Sequence, residues 1–424
     1  MNKNVIKTTV LSRISRCKMI KELSIYLFSF LVFNSISAQE LQSYIEEGQQ
    51  NNLQIQAFEI RYATALEKVN EVSLSNTELS AGYFASAPET RTGPQVARFS
   101  VRQMLPWFGS LAAQRKSAGA AAASEQAEIA ITKRKIGLNV ASAYYTLYTL
   151  TAKQQVLQAQ MELLQRYEEL ALTSVEVGKA SVVDVLKLQI RQNGLQQQKE
   201  ILAQDYQAEK VRFNALLNRD QKLEIVLADT LFIPKENFME NGENLSINPE
   251  ILKYDTLYEA VTQEELANRK SAQPMLGVGL DYIPVAERPE MAMSDNGKDI
   301  LMPMLSVSIP LFNNSYSSKS KQNELRQNEL LTQKNNRLNE LNILLAEAKS
   351  SLKSAKISYF IQENNLKQAK NAEEILLKNY ETGTIDFNDV LDIQELQLQL
   401  LVEQLDAVER YFSQAAVINY LTQV

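Results

Sequence analysis

Histidine is missing from all 424 residues, and cysteine occurs once, as Cys17. The first absence removes the commonest general base and the commonest transition-metal ligand together. The carboxylates are scattered along helical patterns with no nucleophile and base joined in one motif, so neither an enzyme nor a cofactor is expected. Cys17 precedes the apolar run Leu23 to Phe33, whereas a lipidated cysteine follows such a run, so no lipid anchor is expected. The rest of the chain uses neither disulfides nor thiol chemistry, as suits an exported protein. A net charge of -6 and a pI near 5.2 supply no basic field, so no nucleic-acid partner is expected. Thirteen glycines and ten prolines are few for this length, and a chain so poor in helix breakers is expected to form long helices.

What is present begins with an export signal. Lys18 and Lys21 stand before Leu23 to Phe33, a run too short to span a bilayer and right for a signal-peptide core. Cleavage is expected after Ala38, making residues 1–38 the signal peptide, although Ile36 is bulkier than the small residue usual at its position. Met1 and Met19 are both possible starts.

The remainder reads as a duplication, 39–245 and 246–424. From Glu40 to about Leu74 apolar residues recur at helical spacing. Leu79 to Ala85 then alternates, as do Ala97, Phe99 and Val101 with Arg98, Ser100 and Arg102, giving a hairpin over about 78–104. Leu105-Pro106-Trp107-Phe108-Gly109 ends it. A helix of roughly 65 residues follows, about 100 Å long, up to the tip at about 177–184. There Gly178 closes one helix with a positive φ and Ser181 caps the next, which returns to about Asn218. After a break at 219–244, Asn248-Pro249-Glu250-Ile251 restarts the order as the counterpart of Asn52-Leu53-Gln54-Ile55. Strands at about 275–310 end at Pro310-Leu311-Phe312-Asn313. In the second long helix Leu331, Leu338, Leu345, Leu352, Tyr359 and Leu366 repeat every seven residues, with Ala348, Ala355 and Ala369 three further on. That period implies closely packed, supercoiled helices. The second tip, at about 382–389, carries Gly383 and Asp386, and a last helix runs to Leu421.

Strands of about ten residues with one apolar face have the length and pattern of tilted outer-membrane strands. Four strands cannot close, and open edges cannot face lipid, so several chains must pool their strands; three would give twelve. Arg98, Arg102, Asp281, Ser306 and Ser308 fall on polar faces and suit a wet barrel lumen. The blander alternative is a pair of soluble hairpins packed on helices.

This ordered, duplicated set resembles the TolC-like outer membrane factors, the exit ducts of tripartite efflux pumps and type I secretion systems. The resemblance rests on Tyr44-Ile45 through Asn51-Asn52-Leu53-Gln54-Ile55-Gln56-Ala57, the Leu79 to Phe84 strand, the turn at Pro310 and both tips. It implies a mainly α fold with membrane β: a homotrimer whose twelve-stranded β-barrel sits in outer membrane lipid and continues as a periplasmic α-helical barrel. It also implies passive export of small molecules after docking to a periplasmic adaptor and an inner-membrane pump. A type I protein secretion duct is the alternative within the family, and an exported coiled-coil scaffold is the alternative of a different class.

The resemblance assigns adaptor docking to Val177, Gly178, Lys179, Ser181, Thr382, Gly383, Thr384 and Asp386. It assigns the channel entrance to Asp389 and Asp392, which are three apart and share a helix face. Two per chain in three chains would ring the constriction with carboxylates and favour cations; capping by Asp386 and Asp389 is the structural alternative. One position departs from the pattern. Some relatives place an arginine two residues after the second tip glycine and lock it to an acid on the first tip, here Asp184, but this chain has Ile385. Its closed state is therefore expected to rest on Lys179 or on packing of Ile385 and Phe387, and to depend less on ionic strength. For cargo, the Leu105 to Gly109 run is similar to a turn in heavy-metal efflux factors, and Met291, Met293, Met302 and Met304 could act as soft-metal ligands. Apolar filling is the commoner role for methionine, and no metal site is assigned.

Overall fold

The computed structural model describes residues 40–176, 181–235, 244–290, 292–382, 384–385 and 387–422; the expected signal peptide lies outside them. The chain is mostly helical with one small four-stranded sheet. It divides into two compact units, and both draw on each half of the sequence. One comprises Met1–Ile55, Thr132–Leu245 and Leu341–Val424, the other Gln56–Ile131 and Ser246–Glu340.

The helix expected from Glu40 to Leu74 is two helices, α1 (40–51) and α2 (Leu53–Glu71). Asn52 divides them because its side-chain oxygen accepts the Gln54 N–H at 2.9 Å, a local bond that competes with helix continuation. The counterpart Asn248 does the same for Glu250 at 2.9 Å and starts α5 (Pro249–Ser271), with Pro249 in the first turn, where its missing N–H costs nothing. The two halves thus share their cap chemistry. The long helices are α3 (Ser110–Glu176) and α6 (Ser315–Glu381), 67 residues each, and their return helices are α4 (Val182–Leu216) and α7 (Phe387–Thr422).

In the unit holding the sheet, β1 (Glu78–Tyr83), β4 (Ala97–Leu105), β5 (Met275–Ile283) and β6 (Ile300–Ser308) are antiparallel in the order β1-β4-β5-β6. A two-residue ladder of β2 (Glu89–Thr90) and β3 (Gly93–Pro94) lies within the β1–β4 connection. Gly93 is needed there: its φ is +132°, and a Cβ would stand 2.1 Å from the Ala286 carbonyl oxygen. At the other end of the sheet Gly109, φ +81°, turns the chain into α3. Ser110 then donates from Oγ to the Lys270 carbonyl at 3.1 Å, and Asn268 donates to the Tyr316 carbonyl at 2.9 Å. The starts of α3 and α6 are thereby both tied to the end of α5.

In the other unit the helical seam is buried at Leu345, Ala348, Ala355, Leu366 and Ala369. The seven-residue series does not hold through all of α6. Leu331 is 46% exposed while Leu330 is buried, since a helix of 3.6 residues per turn drifts from a seven-residue repeat unless it is supercoiled throughout. The expected break after α4 is an extended strap. Tyr44, Tyr144 and Tyr148 accept the backbone N–H groups of Val226, Ala228 and Leu231 at 3.0, 2.9 and 3.0 Å, which satisfies donors that no ladder serves. Burial pushes the Tyr144 hydroxyl up to about 12.

Candidate channel wall and helical tips

Cross-strand register sorts every side chain of the sheet onto one of two faces. On one, Leu79, Val101, Leu280 and Pro303 form a row, flanked by Ala81, Phe99, Tyr282 and Leu301 and by Gln103, Val278 and Leu305. This apolar face is bare: Leu79, Tyr83, Leu301 and Leu305 are 74, 79, 65 and 87% exposed. The other face carries Glu78 opposite Arg102, Ser100 opposite Asp281, and Ser306 opposite Gly277. Arg98 is ion-paired to Asp281, whose side chain is fully buried. A soluble sheet covers its apolar face, whereas here the apolar face is exposed and Ser100 and Asp281 on the middle strands of the other face are buried. Large aromatics mark both ends, with Trp107, Phe108 and Phe312 exposed at the turns into the long helices and Tyr83 and Tyr282 at the far side. No helix among the described residues is long and apolar enough to cross a membrane.

The tips are built by local capping and then packed. Ser181 has extended φ/ψ, its Oγ accepts the Val183 N–H at 3.2 Å, and the Asp184 carboxylate accepts the Ser181 N–H at 3.3 Å. This reciprocal arrangement satisfies two donors that the start of α4 leaves free. At the second tip the Thr382 and Thr384 hydroxyls both donate to the Asn379 carbonyl, at 2.9 and 2.8 Å, beside the Thr384 N–H at 3.0 Å, so the end of α6 is closed by local bonds. Phe387 follows and is buried, its ring 5.8 Å from that of Tyr167 and 4.9 Å from that of Tyr380. Ile385 packs on the same cluster. Behind it lies a polar layer. Tyr167 donates to Glu373 at 2.9 Å, Gln397 donates to the other Glu373 oxygen at 2.8 Å, Gln394 donates to Glu373, and Gln160 donates to Gln394 at 2.8 Å. Burial, reinforced by the Glu373 carboxylate, raises the Tyr167 pKa and keeps it a donor.

A groove of about 460 Å³ runs between α4 and α7 over Gln160 and Leu164 of α3. Lys187 and Arg191 line one side, Asn388, Asp392 and Glu395 the other. Lys187 donates to Asn388 at 2.8 Å, and Arg191 pairs with Glu395 at 2.5 Å.

The sequence pattern described as outer membrane efflux protein matches residues 44–219. No curated protein matches the chain, but solved channels share the fold. OprN, an outer-membrane channel, superposes with a TM-score of 0.72 at 15% identity, covering 90% of this chain and 89% of its own. CusC, described as forming a transmembrane channel, gives 0.75 at 13% over 91 and 92%. VceC, an outer membrane protein of Vibrio cholerae, gives 0.71 at 18% over 90 and 96%. Residues 44–219 thus match the outer membrane efflux protein family model, and the chain has the fold of these outer-membrane channels.

Arg98, Arg102 and Asp281 share one sheet face, with Arg98 and Asp281 in direct contact. Asp389 and Asp392 are both exposed near the start of α7, and Asp392 lines the groove while Asp389 does not. Asp184 is engaged in the cap of α4. Val177, Gly178, Lys179, Gly383 and Asp386 lie outside the described residues, as does Met291. The sequence reading missed Tyr167, Tyr380 and the Glu373–Gln394–Gln397 layer. Gln394 and Gln397 carry a legible signal, being glutamines three apart that interrupt the apolar stripe of α7. The Tyr167–Phe387–Tyr380 meeting has none, since it joins residues far apart in the chain.

Proposed function

We propose that three copies of this chain join their sheets edge to edge into a twelve-stranded barrel in the outer membrane. Their helices continue it as a periplasmic duct through which small molecules leave passively. The observation that carries this reading is the four-stranded sheet itself, with a bare apolar face, a charged opposite face, and β1 and β6 as its edges. Lipid suits the first face and water the second, and lipid tolerates a sheet only when its edges pair. The aromatics at both ends fit the two membrane interfaces. Membrane fractionation tests it: a heat-resistant trimer released only by detergent is the expected result, and a soluble elongated monomer would overturn it.

The tips form the inner mouth in this reading. A periplasmic adaptor bound to an inner-membrane pump docks at Ser181, Thr382, Thr384 and their neighbours on the tips, and Asp389 and Asp392 line the entrance. Their exposure and their place in the first turns of α7 support the entrance role. The double variant Asp389→Asn, Asp392→Asn should keep its conductance in planar bilayers but lose cation preference, read as a shift in reversal potential under a salt gradient. An unmoved reversal potential would remove both residues from the entrance.

A further inference from the structure

The two edges of the sheet are built to meet in one register. Along the polar face the row Glu78–Arg102–Gly279–Met304 runs straight across the four strands. Phe84 donates its N–H to the Val96 carbonyl at 3.0 Å, so the even-numbered residues of β1 bond to β4. Bonding direction alternates along an antiparallel strand, and Leu79, Ala81 and Tyr83 therefore turn their backbone groups to the outer edge. On the opposite edge Pro303 stands across from Leu280. Having no N–H, a proline is tolerated where that deficit faces outward.

When a sheet closes into a barrel, a row followed around it returns displaced along the strand, and the displacement is linked to the tilt. Four strands at ~4.8 Å span about 19 Å, so a tilt of roughly 35–45° displaces the row by about 13–19 Å, or about four to six residues. The shift must be even, because an odd one would turn the apolar face of one copy toward the lumen of the next. We propose that β6 of one copy pairs with β1 of the next so that Met304, in line with Glu78 of its own copy, meets Gly82, four residues on, in the neighbour. This inference rests on the barrel reading and specifies its closing register. All six residues of β1 then find partners within β6, from Glu78 opposite Ser308 to Tyr83 opposite Pro303. The missing proline donor thus falls at the last rung. A shift of two residues would set Pro303 against Ala81, inside the ladder, and flatten the tilt to about 20°. A shift of six would leave Glu78 and Leu79 beyond the end of β6, and a shift of four the other way would leave Glu78 opposite Ile300 as the sole rung between the two strands.

Cysteine pairs test the register, since the one native cysteine, Cys17, precedes the expected cleavage site. Ser80 and Ser306 would face each other with Cα atoms ~4.5 Å apart, within the ~4.4–6.8 Å that a disulfide spans. Ser80 with Met304 or with Ser308 would form diagonals of ~7–8 Å. The full chain is oxidised mildly in outer-membrane vesicles and read on denaturing gels. Ser80→Cys with Ser306→Cys is expected to give covalent dimers and trimers that reduction dissolves, and several-fold more of them than Ser80→Cys with Met304→Cys or with Ser308→Cys. If that variant does not assemble, Glu78→Cys with Ser308→Cys reads the same register. Stronger linkage through either diagonal, or a detergent-stable trimer that none of these pairs links, overturns the register and leaves the barrel standing. A soluble monomer overturns both.

Discussion

Leu305→Arg is expected to keep the protein out of the outer membrane, while Ser306→Arg, its immediate neighbour, leaves it there. Leu305 lies mid-strand in β6 on the apolar face and is 87% exposed. An arginine at the bilayer midplane costs roughly 2–4 kcal/mol per site in an outer-membrane barrel, and three copies would bear it three times over. That sum rivals the ~5–15 kcal/mol that typically holds a protein folded. Ser306 points to the opposite face, where Arg98 and Arg102 already sit, and a charge there meets water. Detergent fractionation and single-channel conductance read both variants. Normal assembly of Leu305→Arg would mean that this face never meets lipid.

The second large effect is expected at Phe387. Truncation to alanine empties a site buried between Tyr167 and Tyr380, and such Phe→Ala changes cost ~3–5 kcal/mol. The exposed Arg191–Glu395 pair nearby, with side chains 35 and 58% exposed, is worth ~0–1 kcal/mol. Packing therefore outweighs ion pairing in holding α3, α6 and α7 together at the tip. Phe387→Ala should lower the melting temperature and raise adaptor-free conductance, while Arg191→Ala changes either only slightly. Since apolar contact is not screened by salt, leak through the native channel should respond weakly to ionic strength. That agrees with the packing of Ile385 on the same cluster. If Arg191→Ala leaks more than Phe387→Ala, the tip is held by charge and this ranking is wrong.

Much of the fold was legible because periodicity is a local property. Alternation at Arg98, Ser100 and Arg102 and at Gly277, Gly279 and Asp281 determined which side chains share a strand face. Ser181 and Asn248 marked helix starts through bonds that span two or three residues, whereas the similar bond at Asn52 went unread inside the helix expected from Glu40 to Leu74. The duplication supplied the inventory of strands and long helices. Local pattern does not say which elements meet. The pairing of β4 with β5, which brings Arg98 onto Asp281 across 183 positions, and the meeting of Phe387 with Tyr167 were decided by long-range packing. Period assigns each residue a face; only the pairing of distant segments decides what that face touches.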